Sequence, residues 1–255
     1  MSKGQLAVFI RSRRDALGMT QAQLAGSTGW SKSAIEKVEA GTLTPSLEFA
    51  GALFDALGIP YIYRERIVAA LYPGALDRVL GPSPALPDAD ALADLEDLPY
   101  PAAYLALPEG DVLGVNAAWA AAFPGLRARS NLLGYLFTDP EAERMLVDWE
   151  QVAHGFTYGL RMMGPLSVPE TVLNEIIERC RVHPEFERMY ATDPDGPATL
   201  RPILRVADPG TGVVRNLHIK IDKPHLPHSS WVTYRLVPVR AEAATSTRPD
   251  SADRR

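Results

Sequence analysis

The sequence predicts an all-α N-terminal domain followed by an α+β domain built on a five-stranded antiparallel sheet. Three observations carry that expectation. The first 60 residues hold four short segments of helical periodicity, each with its own cap or glycine stop. From Ala102 the texture changes to short extended runs joined by a hairpin turn, and a helical middle separates these runs from three closing strands.

In the first segment Leu6, Phe9, Ile10 and Leu17 form an apolar stripe between Arg11, Arg13, Arg14 and Asp15, and Gly18 ends it. Thr20 followed by Gln23 is a capping box that opens a second helix, which turns Leu24 and Ala25 inward. Gly29 makes the corner. Ser31 caps a third helix with Ile35 and Val38 on its apolar face and Lys32, Ser33, Glu36 and Lys37 on the other. Gly41 stops that helix, and Pro45-Ser46 opens a fourth with Glu48 in its first turn. Leu47, Phe49, Ala50, Leu53, Phe54 and Leu57 are its packing surface, and a fifth helix is expected across Ile62 to Leu71.

Two short helices held at a sharp turn place the second where it can enter a DNA major groove, so double-stranded operator DNA is the first expected partner. A small helical module can also serve protein contacts. Residues Leu6 to Pro60 resemble the Cro/C1-type (XRE family) helix-turn-helix domain through Thr20-Gln21, Gly29, Ser31 to Ser33, Glu39-Ala40-Gly41 and Pro45-Ser46. The resemblance implies that Gln21 touches the DNA backbone, that Lys32 and Ser33 lie at base edges and that Ala34 approaches a base methyl. It adds Ser31, Glu36 and Lys37 as further contacts and gives Glu39 an internal organising role.

Charge agrees with that division. Residues 1–64 carry seven Lys and Arg against five Asp and Glu, a net +2, whereas the rest carries 19 against 26, a net −7. So small a positive charge on one copy suits a homodimer, with two copies acting on one operator.

Pro82, Pro84 and Pro87, with Asp88, Asp90, Asp94, Glu96 and Asp97, mark a boundary. The expected organisation is a DNA-binding domain over 1–80, a linker and docking segment over 81–98, a second domain over 99–240 and a disordered tail over 241–255. Leu92, Leu95 and Leu98 suit a short docking turn.

The second domain opens with the runs 103–107 and 112–115 about a turn at Pro108 to Asp111. Asn116 then caps a helix from Ala117 to Phe123 or reaches a ligand. Asp139-Pro140 starts one long helix carrying Met145, Trp149, Val152, Ala153, Phe156 and Leu160. Ser167 and Glu170 read as a capping box for a helix bearing Val172, Leu173, Ile176, Ile177 and Cys180. Pro184 begins a short piece with Phe186, Met189 and Tyr190. Strands follow over 199–206, 213–221 and 231–238.

The segment from about Leu95 to Pro238 resembles the MmyB-like ligand-binding domain found behind Cro/C1-type modules in many actinobacterial regulators. The resemblance rests on Asp111 to Asn116, Asn131-Leu132-Leu133, Leu136-Phe137, Asp139-Pro140, Trp149 and His183-Pro184-Glu185-Phe186. Val115 stands where that family commonly has tryptophan. The implied fold is PAS-like, completing the expectation as an all-α helix-turn-helix domain followed by an α+β PAS-like domain. The implied ligand is an apolar or fatty-acid-like small molecule.

Aromatic and thioether residues available to line such a pocket are Tyr104, Trp119, Phe123, Phe137, Trp149, Phe156, Tyr158, Met162, Met189, Trp231 and Tyr234. Asn116 and His154 are candidate polar contacts, and Arg144, Arg161 and Arg205 are candidate cations for an acidic head group. The alternative is a second domain that serves only dimerisation or protein docking.

No glycine-rich phosphate loop, nucleophile elbow or zinc-protease motif occurs, so neither enzyme chemistry nor a cofactor or metal is expected, and an enzyme is a distant third reading. His225 and His228 share an exposed loop without metal-ligand spacing. An apolar content of 46% is ample for real cores, and the single cysteine, Cys180, reads as a buried thiol. The chain shows no signal segment or membrane span, which predicts a cytoplasmic protein with no membrane partner.

Overall fold

Short helices come first because their caps dictate where each one starts. A computed structural model of the chain describes residues 3–60, 63–64, 67–68, 86–194, 203–223 and 229–239. The head contains α1 (Lys3–Ala16), α2 (Gln21–Thr28), α3 (Lys32–Glu39) and α4 (Leu47–Ala56). The capping box forms as expected: Thr20 Oγ1 accepts the Gln23 N–H at 3.2 Å, and Gln23 Oε1 accepts the Thr20 N–H at 2.8 Å. Ser31 and Ser46 cap α3 and α4 in the same way, each at 3.2 Å. At the α2–α3 corner Gly29 takes φ 73°, a conformation that a residue with a Cβ adopts only with strain.

The head's core unites Leu6, Phe9, Ile10, Leu24, Ile35, Val38, Phe49, Leu53, Phe54 and Leu57. Full burial of a leucine or isoleucine of this kind contributes about 1.5–3 kcal/mol. Two expected members are absent. Leu17 lies in the turn beyond α1, and Leu47 is the first residue of α4; both face solvent. Tyr63, Arg64, Ile67 and Val68 are helical, in keeping with a fifth helix, while the remainder of the stretch to Leu71 lies outside the described residues.

The second domain follows with α5 (Ala89–Glu96), β1 (Ala102–Ala106), β2 (Asp111–Val115), α6 (Ala117–Ala122), α7 (Leu132–Thr138), α8 (Pro140–Met145), α9 (Trp149–Ser167), α10 (Glu170–Cys180), α11 (Phe186–Ala191), β3 (Ile203–Ala207), β4 (Val214–Asp222) and β5 (Val232–Pro238). The five strands form one antiparallel sheet in the order β2-β1-β5-β4-β3. This is the α+β, PAS-like arrangement that the sequence predicts. First and last strands pair through Ala103 opposite Tyr234. Alternation along each strand then sends Ala103, Leu105, Leu204, Val206, Leu217, Tyr234 and Leu236 to one face, where they pack with the helical middle.

The opposite face is covered at one end. There α5 lays Leu95 against Ala102, Tyr104 and Trp231, and the Tyr104 hydroxyl donates to the Ala91 carbonyl at 2.9 Å. The docking turn expected around Leu92, Leu95 and Leu98 is therefore a helix closing the outer face of the sheet.

Two further expectations change. The long helix from Pro140 is broken at Leu146–Asp148, because Leu146 bridges to Val206 and the Val147 N–H donates to the Arg205 carbonyl at 3.1 Å. Ser167 does not cap α10. It ends α9, donating its hydroxyl to the Met163 carbonyl at 2.8 Å, and Pro169 stands at the start of α10 without a side-chain cap.

One helix belongs to both halves. Along α9, Ala153 and Leu160 are buried in the core of the second domain, whereas Tyr158, Met162, Met163 and Leu166 join the head's core. The Tyr63 and Tyr158 rings meet at 6.2 Å between centroids, and Arg13 Nη1 reaches Asp193 Oδ2 at 2.7 Å.

Candidate nucleic-acid interface and ligand-binding core

The outer surface of α3 presents Lys32, Ser33, Glu36 and Lys37, all exposed, with Ala34 half-buried beside them. Lys32 Nζ pairs with Glu36 Oε1 at 3.1 Å, one turn along the helix. Ser31 spends its hydroxyl oxygen on the Ala34 N–H. The inner surface carries Ile35 and Val38, so the helix is held from behind while its polar side stays open.

Its rigidity comes from Glu39. The side chain is 1% exposed and binds Arg14 twice, Nε to Oε1 at 2.6 Å and Nη2 to Oε2 at 3.0 Å. Gln21 Nε2 donates to Oε2 at 2.8 Å, and Arg11 Nη2 donates to the Glu39 carbonyl at 2.7 Å. Burial disfavours the Glu39 carboxylate, but the Arg14 and Gln21 hydrogen bonds and the charges of Arg14 and Arg11 together hold its pKa below the ordinary value. One carboxylate thus clamps α1, α2 and α3 in register. Gln21, with one amide hydrogen given to Glu39, retains the other.

In the second domain the core against the sheet gathers Trp119, Phe123, Phe137, Met189 and Tyr234, with Trp149 and Phe156 packed at its margin. Trp119 meets the edge of Tyr234 at 6.1 Å and Phe123 at 4.8 Å. Phe137 meets Trp149 and Phe186 edge-on, and the Trp149 indole N–H donates to the Leu136 carbonyl at 2.8 Å. This aromatic core lies under the five-stranded sheet, behind a head of short helices. Residues 87–248 match the MmyB-like transcription regulator ligand binding domain, and residues 5–66 match a helix-turn-helix domain. The first match alone spans more than half of the chain.

This chain belongs to the MmyB-like family.

No match to a curated protein is found. Within the MmyB-like domain the remaining candidates are dispersed. Tyr104 and Trp231 lie on the other face of the sheet, under α5. Tyr158 and Met162 pack into the head. Asn116 caps α6: its Oδ1 accepts the N–H groups of Trp119 and Ala102 at 2.9 and 3.0 Å, and its Nδ2 donates to the carbonyls of Tyr100 and Leu98. His154 is buried with Nε2 3.0 Å from the Thr192 carbonyl. Arg144 is exposed and paired with Glu141, Arg161 pairs with Asp193, and Arg205 pairs with Asp148.

Burial pushes the Cys180 thiol up to about 12 and keeps it protonated. Among the described residues no three His, Cys, Asp or Glu are grouped to hold a metal ion, and no helix is long and apolar enough to cross a membrane. His225 and His228 lie outside the described residues. Sequence reasoning missed Trp30, which stacks on Phe49 at 4.3 Å, and the Arg13–Asp193–Arg161 group. Of that group Arg161 was singled out only as a cation for a ligand, and its bond to Asp193, 32 residues on, has no local signal.

Proposed function

We propose that this MmyB-like protein is a cytoplasmic, Cro/C1-type regulator that binds operator DNA as a homodimer and senses an apolar, fatty-acid-like small molecule in its C-terminal domain. Lys32 and Ser33 read base edges, Ala34 meets a base methyl, Gln21 and Ser31 touch the backbone, and Glu36 and Lys37 flank the contact. Trp119, Phe123, Phe137, Phe156, Met189 and Tyr234 provide the apolar surface for the ligand. The observation that carries the reading is α9, whose two faces belong to the ligand-binding core and to the head's core. A ligand that favours one placement of α9 shifts the population of DNA-competent heads, with no chemistry performed on it.

Selection from a randomised duplex pool tests the DNA half. The full chain enriches a two-half-site sequence, and Lys32→Ala with Ser33→Ala changes the preferred bases while leaving the melting curve in place. No enrichment, or loss of folding in the double variant, refutes the assignment.

One observation favours the second reading, a C-terminal domain that only holds the dimer. Ile203 at the start of the edge strand β3, and Val213 and Val214 where β4 begins, are exposed. Dissociation of the dimer by Val214→Lys, with no response to any apolar molecule, selects that reading.

A further inference from the structure

Nearly every buried polar group described in the C-terminal domain has a partner, which makes the exceptions informative. Thr157 donates to the Ala153 carbonyl, Ser229 to the Trp231 carbonyl, and Asn116 and His154 are engaged as described. Trp149 satisfies its indole N–H on Leu136. Among the described residues the buried side-chain donors without one are the indole N–H of Trp119 and the hydroxyl of Tyr135, in residues 3% and 6% exposed. Both belong to the same apolar core against the sheet. A buried donor left unpaired is costly, and it is relieved when an acceptor atom arrives.

The charge of that acceptor is constrained too. Among the described residues the buried Lys and Arg side chains are Arg13 and Arg14, and both lie in the head. The arginines that sequence offered to an acidic ligand are paired with Glu141, Asp193 and Asp148. Tyr135 lies in a net negative surround: after burial, the charges of Asp139 and Glu141 raise its phenol pKa, and Arg144 opposes them more weakly. A carboxylate placed there would be desolvated beside Asp139 and Glu141, with Arg144 already paired to Glu141, so a neutral acceptor gains more from the two donors.

We infer that the ligand of this domain carries an uncharged oxygen acceptor, such as an ester or ketone, on its apolar body, received by Trp119 Nε1–H or Tyr135 O–H. This rests on the ligand-sensing reading above and narrows its chemical class away from free fatty acids.

The test titrates the full chain with decanoate, methyl decanoate and decane, followed by calorimetry and thermal shift. Methyl decanoate binds at least tenfold more tightly than decanoate at neutral pH. Trp119→Phe and Tyr135→Phe each reduce, by roughly three- to tenfold for the donor in contact, the preference for the ester over decane. Tyr135→Phe removes one oxygen and keeps the ring, and the head-group comparison on the unaltered protein needs no variant at all. Tighter binding of decanoate, or an ester preference unmoved in both variants, overturns the inference and leaves ligand sensing standing. Failure of all three molecules to bind overturns both.

Discussion

Arg13 in α1 and Asp193 just beyond α11 are separated by 180 residues in the chain and by 2.7 Å in the fold. Arg13 is almost wholly buried and also donates Nε to the Leu57 carbonyl at 3.1 Å, so its guanidinium faces both the head's own α4 end and the second domain. Asp193 simultaneously pairs with Arg161 of α9, whose guanidinium lies 5.2 Å above the Tyr158 ring. Head and ligand-binding domain are thus joined by an apolar contact along α9 and by one shared carboxylate at its edge.

Replacement of that carboxylate loosens the joint without unfolding either part. Asp193 is partly exposed, so water replaces much of what Asp193→Ala removes, and the expected cost is about 1 kcal/mol. Hydrogen exchange reads it directly: amides of α1 exchange roughly fivefold faster in the variant, whereas amides of β1 and β5 keep their rates. Unchanged exchange in α1 would show that the apolar contact alone carries the docking.

Gly159 gives a sharper test of the same joint. A Cβ at this position would stand 3.0 Å from the Tyr63 hydroxyl, closer than ordinary packing allows. Alanine otherwise favours a helix over glycine by up to about 1 kcal/mol. Gly159→Ala is therefore expected to destabilise the chain, because Tyr63 must retreat, and to stabilise it in a Tyr63→Phe background, where the hydroxyl is gone. Denaturant melts of the four proteins in the cycle settle the sign; the same sign in both backgrounds sinks the assigned contact.

What the sequence made legible was local. Thr20 and Gln23, Ser31, Ser46 and Asp139-Pro140 set helix starts through groups no more than three residues away, and all of them perform as expected. The break between α8 and α9 was hidden because Leu146 fits a helical stripe, and the bridge that holds it extended, opposite Val206, is made by the Val147 N–H on the Arg205 carbonyl of a distant strand. Tyr158 and Met162 look like pocket residues for a similar reason. Periodicity says that a face of α9 is buried, but not that the head is what buries it. The strand alternation that separates Tyr104 from Leu105 was present in the sequence, yet both faces of β1 are covered, so apolarity alone could not show which face meets the aromatic core.

Asn116 links the α5–β1 connection, β1 and α6 through four hydrogen bonds at once. Asn116→Ala strands two N–H groups and two carbonyls, at an expected cost of about 3 kcal/mol. Asn116→Asp keeps the acceptor and loses the donor, setting a second charge near Glu96, which accepts the adjacent Ala117 N–H at 3.1 Å. Thermal melts are expected to place wild type above N116D, and N116D above N116A. Equal stability of wild type and N116D would remove Leu98 and Tyr100 from the account.

Glu39 gives the head a defined dependence on acid. Its carboxyl titrates lower in the folded chain than the ordinary value of 4.5, through Arg14, Gln21 and Arg11 acting against burial. A depressed native pKa means that the unfolded chain takes up the proton first as pH falls. The stabilisation is complete above pH 4.5 and is lost as pH falls through the lower, native value. Asp208, also held low, by its Thr211 and Gly210 contacts, adds an acid dependence of its own in the other domain, so the comparison must be made against Glu39→Gln. At pH 7 that variant leaves Arg14 buried beside a neutral amide and loses about 3 kcal/mol of head stability. Below pH 4.5 the gap to wild type narrows, since protonation does to Glu39 what the substitution does permanently. Stability curves for both proteins between about pH 7 and pH 3 check this, and an offset that stays constant across the range would place the Glu39 contribution in packing instead of charge.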